Sequence, residues 1–381
     1  MTNEKDATMF QPNNTELEVE TLLAMLTYKR AAYSAGEEAF LDRFVRPYSE
    51  HPNVTDHWTD DSGNLFFEVN GGSKQLFTCH SDTVHGRSSY GKATVVPLTD
   101  KLVVEPAVEN HHHQEVIYDA NLMLIYKDDG EPLGADDGSG VWLCLEIIKA
   151  GLPCTIAIFR SEERGGVGSS NSARDAADFY REFDSAVAFD RRGTGDIITH
   201  QGMGRCASDK WAQALADQLN EHGLDYAPCD GGVFTDTANL THLIPECSNL
   251  SVGYDREHSG DETQDVGHLF ALRDAILKVD WSALPIERDP SVVEELPWAT
   301  GGWWSSKKSD GFTMSGLDDD YDFRFRKSST GSSFKSAPSD FETKYEIEDL
   351  YYMTLNEMVE AAAYFPDEFA EAVFKLINEE E

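Results

Sequence analysis

Residues 154–163 read CTIAIFRSEE, an unbroken apolar run from Thr155 to Phe159 that gives way within two residues to the paired acids Glu162 and Glu163. A run of this length without polar alternation suits a central strand buried on both faces. Two shorter runs repeat the pattern. Ala186 to Phe189 is followed at once by Asp190, and Leu250 to Val252 is followed a few residues on by His258. Upstream, Leu65 to Val69, the turn residues Asn70-Gly71-Gly72 and Gln75 to Cys79 read as strand, turn and strand, ending at His80.

Helical spacing lies between these runs. After the glycine-rich stretch 134–140, Val141, Cys144, Leu145 and Ile148 recur at i, i+3, i+4 and i+7. Further helical stretches fall near 173–183 and 210–220, and two more precede the first strand, around Leu22 to Leu26 and Phe40 to Phe44. Residues 102–128 read as another pair of strands around the tract His111-His112-His113. This alternation predicts a three-layer α/β/α sandwich with a mixed, mostly parallel central sheet.

The character changes after Leu284. Residues 285–345 are rich in Pro, Gly, Ser and Trp without a period and read as a linker, leaving 1–284 as the main domain. Residues 346–381 carry eleven acids against one Lys and form an acidic helical appendage broken at Pro366.

Over all 381 residues, 69 acids against 31 basic residues give a formal net charge of -38. Such a surface repels nucleic acid and anionic membranes, so neither is an expected partner. No apolar run approaches the roughly 20 residues of a membrane span. The polar first ten residues lack a secretory core, and the six scattered cysteines show no CxxC spacing, so a cytoplasmic protein with reduced thiols is expected.

The chemistry gathers where strands end. His80-Ser81-Asp82, Asp136-Asp137 within the glycine loop, Glu162-Glu163, Asp190 and His258 each follow or adjoin such an end. Ligands of open α/β sheets bind beyond the carboxyl ends of strands. Imidazole and carboxylate are zinc ligands, and one carboxylate can bridge two ions. Singly, each feature has a plainer reading. A Glu-Glu pair is usually a solvated edge, and Asp-Asp in a glycine loop is usually a helix cap. Five such clusters in order outweigh those readings. Cobalt or manganese suits the same donors.

The stretches FTCHSDTV, PLGADDGSGV, FRSEERGGVGS, AFDRRGTGD and NLSVGYDREHSGDE occur in this order between His80 and Glu262, about half the chain. The set resembles the co-catalytic zinc exopeptidase superfamily, which includes the bacterial leucyl aminopeptidases, peptidase T and the glutamate carboxypeptidase-like enzymes. The resemblance implies two Zn2+ ions. His80 and Asp190 would hold one, Glu163 and His258 the other, and Asp136 would bridge them. It makes Glu162 the general base, Asp82 the residue that orients His80, and the Asp136–Asp137 peptide cis. Only 67 residues separate Asp190 from His258, too few for the lid of the dimeric carboxypeptidase-like branch, so a lidless, aminopeptidase-like arrangement is expected and a lid-mediated dimer is not.

The 55 residues between His80 and Asp136 are long for a compact aminopeptidase. Their His tract reads as a solvated loop, with a third metal as the alternative. Arg191 is a candidate for a substrate carboxylate, against a structural ion pair. Asp236 is a candidate for the substrate amine, against a turn-stabilising role. The expected substrate is a peptide or an N-acyl amino acid. Dipeptidase, carboxypeptidase or deacylase activity at the same metals is the near rival, and a non-catalytic binding protein is the rival from another class.

Overall fold

The computed structural model describes residues 14–85, 101–104, 113–201 and 204–292. The acidic tail, the linker beyond residue 292 and His111 and His112 lie outside the described residues.

In chain order the strands are β1 (Val54–Thr59), β2 (Leu65–Val69), β3 (Gln75–His80), β4 (Lys101–Val104), β5 (Val116–Asp119), β6 (Leu124–Tyr126), β7 (Cys154–Phe159) and β8 (Ser185–Arg191). They continue with β9 (Asp196–Ile198), β10 (His200–Gln201), β11 (Gly204–Arg205), β12 (Ala227–Cys229), β13 (Glu246–Ser251), β14 (Tyr254–Asp255) and β15 (Thr263–Asp265). The helices are α1 (Asn14–Leu26), α2 (Ala35–Phe40), α3 (Ala135–Ala150), α4 (Val167–Asp175), α5 (Ala177–Tyr180), α6 (Asp209–Asn220) and α7 (Val266–Ile276). No described helix is long and apolar enough to cross a membrane.

Eight strands form the central sheet in the order β1-β2-β7-β3-β8-β13-β9-β12. Its middle four, β7, β3, β8 and β13, are mutually parallel, and β2 and β9 flank them antiparallel. The sandwich is therefore the mixed, mostly parallel one expected. Period-two alternation sends neighbouring residues to opposite faces. Phe77, Ile156 and Val187 join a cluster with Leu22, Val141, Leu215 and Leu269 from α1, α3, α6 and α7. Leu76, Ala157 and Ala186 face the other way, onto Ala173, Tyr180 and Leu240. Residues 135–148 of α3 are buried all round, as befits a helix between the sheet and other helices.

One local expectation gives way to a long-range pairing. β2 and β3 do not form a hairpin with each other, because β7 inserts between them. Leu65 pairs antiparallel with Ile158, and Leu76 pairs parallel with Thr155. The Asn70 turn is tied elsewhere, its side-chain amide donating to the Gly151 carbonyl at 2.6 Å. All three strands are apolar and buried, so each gains a partner on both edges.

The long stretch between His80 and Asp136 supplies β4, β5 and β6 to a second sheet, completed by β15 and β14 in the order β14-β15-β6-β5-β4. His113 packs its ring edge-on against Tyr28, with centroids 4.3 Å apart. Past Leu284 the chain stays attached: the Glu287 and Arg288 amides donate to Glu246, and the Arg288 guanidinium donates to the Ile244 carbonyl at 3.0 Å.

Candidate metal centre

The parallel strands deliver the site at their carboxyl ends. His80 closes β3, and its ring Nδ1 lies 2.9 Å from the backbone carbonyl of Asp82. That contact places a proton on Nδ1 and leaves the Nε2 lone pair facing the cleft. Asp136 stands at the mouth of α3, on the cis peptide expected between it and Asp137. Its backbone is held from behind by Glu262, whose carboxylate accepts the amides of Gly134 and Asp136, both at 3.1 Å. Asp137 turns away from the cleft and accepts the amides of His80 and Gly140, at 3.0 and 2.9 Å. A Cβ on Gly140 would collide with the Asp137 carboxylate and the Phe189 carbonyl, so this turn needs its glycine.

Asp190, near the end of β8, accepts hydrogen bonds from the Thr235 hydroxyl at 2.6 Å and the Tyr254 hydroxyl at 3.0 Å. Glu162 and Glu163 lie on a single 3-10 turn after β7, their amides donating to the two carboxylate oxygens of Asp82 at 3.1 and 3.3 Å. His258 follows β14 with its backbone in the left-handed region, at φ 62°.

Two triads result, His80-Asp136-Asp190 and Asp136-Glu163-His258, with Asp136 common to both. His80 Nε2 is 3.1 Å from Asp136 Oδ1 and 3.4 Å from Asp190 Oδ1. His258 Nε2 is 3.1 Å from Asp136 Oδ2 and 3.0 Å from Glu163 Oε1. Ligands about 2.0–2.1 Å from a tetrahedral zinc stand about 3.3 Å from one another, so these spacings suit two ions sharing one carboxylate. Glu162 Oε2 stands off at 3.9 Å from His80 Nε2 and belongs to neither triad.

The electrostatics ask for cations in the same place. Burial alone would lower the His80 pKa, but Asp190 and Asp136 outweigh it and hold it well above 6.5. His258, against the same burial effect, is raised to about 12 by Asp136 and Glu163. Burial would raise Asp136, yet hydrogen bonds from His258 and His80 keep it far below the usual carboxylate range. Burial pushes Glu162 well above that range. Where lone pairs of two imidazoles face four acids, only protons or metal ions relieve the charge.

Three sequence candidates take different places. Asp82 orients His80 through its backbone carbonyl; its carboxylate is 3.7 Å from Nδ1 and holds the Glu162–Glu163 turn instead. Arg191 donates Nε and Nη2 to Asp196, at 3.0 and 2.9 Å, which is the structural ion pair weighed for it as the alternative. Asp236 is 1% exposed, and burial raises its carboxyl to about 8, with His80, Asp190 and Asp82 close enough to act on it. Glu262, Thr235, Tyr254 and Asn249 also support the site, Asn249 by accepting the Asp190 amide at 2.9 Å and donating to the Asp190 carbonyl at 2.6 Å. Glu262, Tyr254 and Asn249 all lie in the stretch NLSVGYDREHSGDE, and Glu262 is also an acid four residues after His258, whereas Thr235 lies outside all five stretches.

No protein-family model and no curated protein matches this sequence. Solved structures do. The aminopeptidase PepT of Bacillus cereus superposes with a TM-score of 0.51 at 14% identity, covering 69% of this chain and 97% of that one. A tripeptidase of Staphylococcus aureus gives 0.51 at 15% identity, over 69% of this chain and 97% of its own. A TET aminopeptidase of a marine sediment Thaumarchaeota archaeon gives 0.50 at 13% identity, over 71% and 99%. The chain has the fold of these peptidases, the fold that its sequence resemblance to the co-catalytic zinc exopeptidases implied.

Proposed function

We propose that this chain is a metal-dependent exopeptidase of the aminopeptidase kind, which removes a terminal residue from a peptide. The carrying observation is the double use of Asp136, each of whose carboxylate oxygens faces its own histidine at 3.1 Å. His80 and Asp190 would hold one zinc ion, Glu163 and His258 the other, and Asp136 both. Bound there, the metals would supply Lewis acidity to a water and to the scissile carbonyl.

The remaining work falls to protein groups. Glu162 is beside both triads and committed to neither, and its amide is fixed by Asp82. Its carboxylate takes the proton of the attacking water and returns it to the departing amine, a role favoured by the upward pull of burial on its pKa. Asp82 thus sets the base through Glu162 and the metal ligand through Glu163. The resemblance of the five stretches, the absence of room for a lid, and a fold shared with an aminopeptidase and a tripeptidase favour a peptide with a free amino terminus.

Aminoacyl anilides assayed beside N-acyl amino acids test the reading. Turnover of the free-amine series is expected; cleavage of the N-acyl series alone would replace it with a deacylase. Glu162→Gln should lower kcat by about 10²–10⁴-fold while zinc content stays at that of the parent protein.

A further inference from the structure

We infer that Arg30 is a positioning residue of the metal centre: its guanidinium ties the loop that carries His80 to the loop that carries Asp136, and so sets how tightly metal is held. The inference rests on the metal-binding reading above, not on which amide is cut.

Arg30 lies four residues beyond α1 and is completely buried, its guanidinium 4.7 Å from the centre of the Phe40 ring. Nε donates at 2.9 Å to the carbonyl of Ser81, the residue between His80 and Asp82. Nη2 donates at 2.7 Å to the carbonyl of Gly134, two residues before Asp136. The backbone repeats the link. The Arg30 amide donates to His85 Nδ1 at 3.1 Å, and the Arg30 carbonyl accepts the Thr83 amide at 2.8 Å. His85 Nε2 then donates to the Pro132 carbonyl at 3.0 Å, reaching the second loop again. One side chain and its neighbour thereby span both ligand loops from behind.

Room is made for this. A Cβ on Gly138 would lie 3.0 Å from Arg30 Nη2 and 2.9 Å from the Leu26 side chain, which gives a glycine of the Asp-Asp-Gly turn a reason. The surrounding acids are Asp137, Glu262, Asp82 and Glu37, so the cation sits among carboxylates that themselves hold the ligand loops. Burial lowers the guanidinium to about 10, and it remains charged at neutral pH.

Packing alone does not account for the residue. Arg30 Nη1 is buried with no hydrogen-bond partner among the described residues, and such a donor destabilises a fold that an apolar side chain would suit better. A planar fork meets two carbonyls on two separate loops; a lysine ammonium cannot match that geometry.

The test uses the full chain, with Arg30→Lys and Arg30→Met, and reads zinc affinity by competition with a chromophoric chelator. Thermal melts are run without metal and with zinc. Both variants should bind zinc 10- to 100-fold more weakly, the range seen when groups behind metal ligands are removed, and the rise in Tm on adding zinc should shrink. A residue that only packs would lower both melts equally and leave zinc affinity unchanged; that result overturns the inference. If neither variant folds, Gly138→Ala decides, because its added Cβ would stand 3.0 Å from Arg30 Nη2 and push the guanidinium off the Gly134 carbonyl. A several-fold loss of zinc affinity is then expected, and parental affinity overturns the inference. Normal zinc binding without peptide turnover would remove the proposed function and leave this inference standing; parent protein that takes up no zinc removes both.

Discussion

The two halves of the metal centre share one carboxylate and differ in almost everything else. On one side His80 is 1% exposed, anchored at Nδ1 by Asp82, at its amide by Asp137, and faced by an Asp190 that both Thr235 and Tyr254 hold. On the other side the His258 side chain is 35% exposed, and its ring contacts are the ligand candidates Asp136 and Glu163. Groups behind metal ligands fix ring orientation and ligand basicity. The difference teaches that the site is one rigid, buried half joined to one open half, and that they should release metal in a set order.

The largest effect belongs to the shared residue. Asp136→Ala should bring zinc stoichiometry from two towards zero and peptide cleavage below detection, measured by atomic absorption and aminoacyl-anilide assay. Retention of one tightly bound ion would mean that the halves are independent and would break the comparison.

Next come the histidines singly. His258→Ala should leave one ion that resists chelator, on the His80 side, while His80→Ala should leave one that is stripped readily. Equal chelator resistance in the two variants would contradict the ordering. A smaller step sharpens it from within. Tyr254→Phe removes one of the two hydroxyl donors to Asp190 and should weaken the slowly released ion by about tenfold, in keeping with a hydrogen bond to a charged group, without changing the fast one.

Much of this was legible in the residue order, and the rest was not, for physical reasons. All five candidate ligands were visible because a run such as Thr155 to Phe159 announces a buried strand, and an acid or His just past it has few reasons to be there. The insertion of β7 between β2 and β3 was hidden, since an apolar strand carries no mark of which apolar strand lies beside it. Asp82 shows the limit at finer grain: its spacing from His80 brought it to the right place, but spacing does not tell a carbonyl from a carboxylate. For Arg191 the sequence suggested an ion pair but not its partner, because Asp196, five residues on, comes back beside it only from the next strand. The second sheet was partly visible, as the pair of strands around the His tract where β4 and β5 lie, while β14 and β15 are short and arrive from beyond residue 250.

The smallest effect reaches the rigid half through pH. His85 is 4% exposed, and burial, together with the charges of Arg30 and Lys127, lowers its pKa well below 6.5. In the fold it is a neutral ring, accepting from the Arg30 amide at Nδ1 and donating to Pro132 at Nε2. A histidine whose folded pKa is depressed contributes stability that is full above its unfolded value and is lost as pH falls towards the folded one. Below about pH 6.5 the unfolded chain therefore binds a proton that the native ring refuses, and stability should fall by up to about 1.4 kcal/mol per pH unit from this group. Other groups titrate in the same window, so the slope of interest is the difference between parent and His85→Gln in urea unfolding from pH 7 to pH 5. Gln has no proton to gain there, and the variant should be less stable at pH 7 yet lose stability less steeply on acidification. Parallel slopes would mean that the His85 ring takes up its proton in the fold at the same pH as in the unfolded chain, so that Nδ1 is not held as an acceptor for the Arg30 amide, and the buttress behind the His80 loop would have to be redrawn.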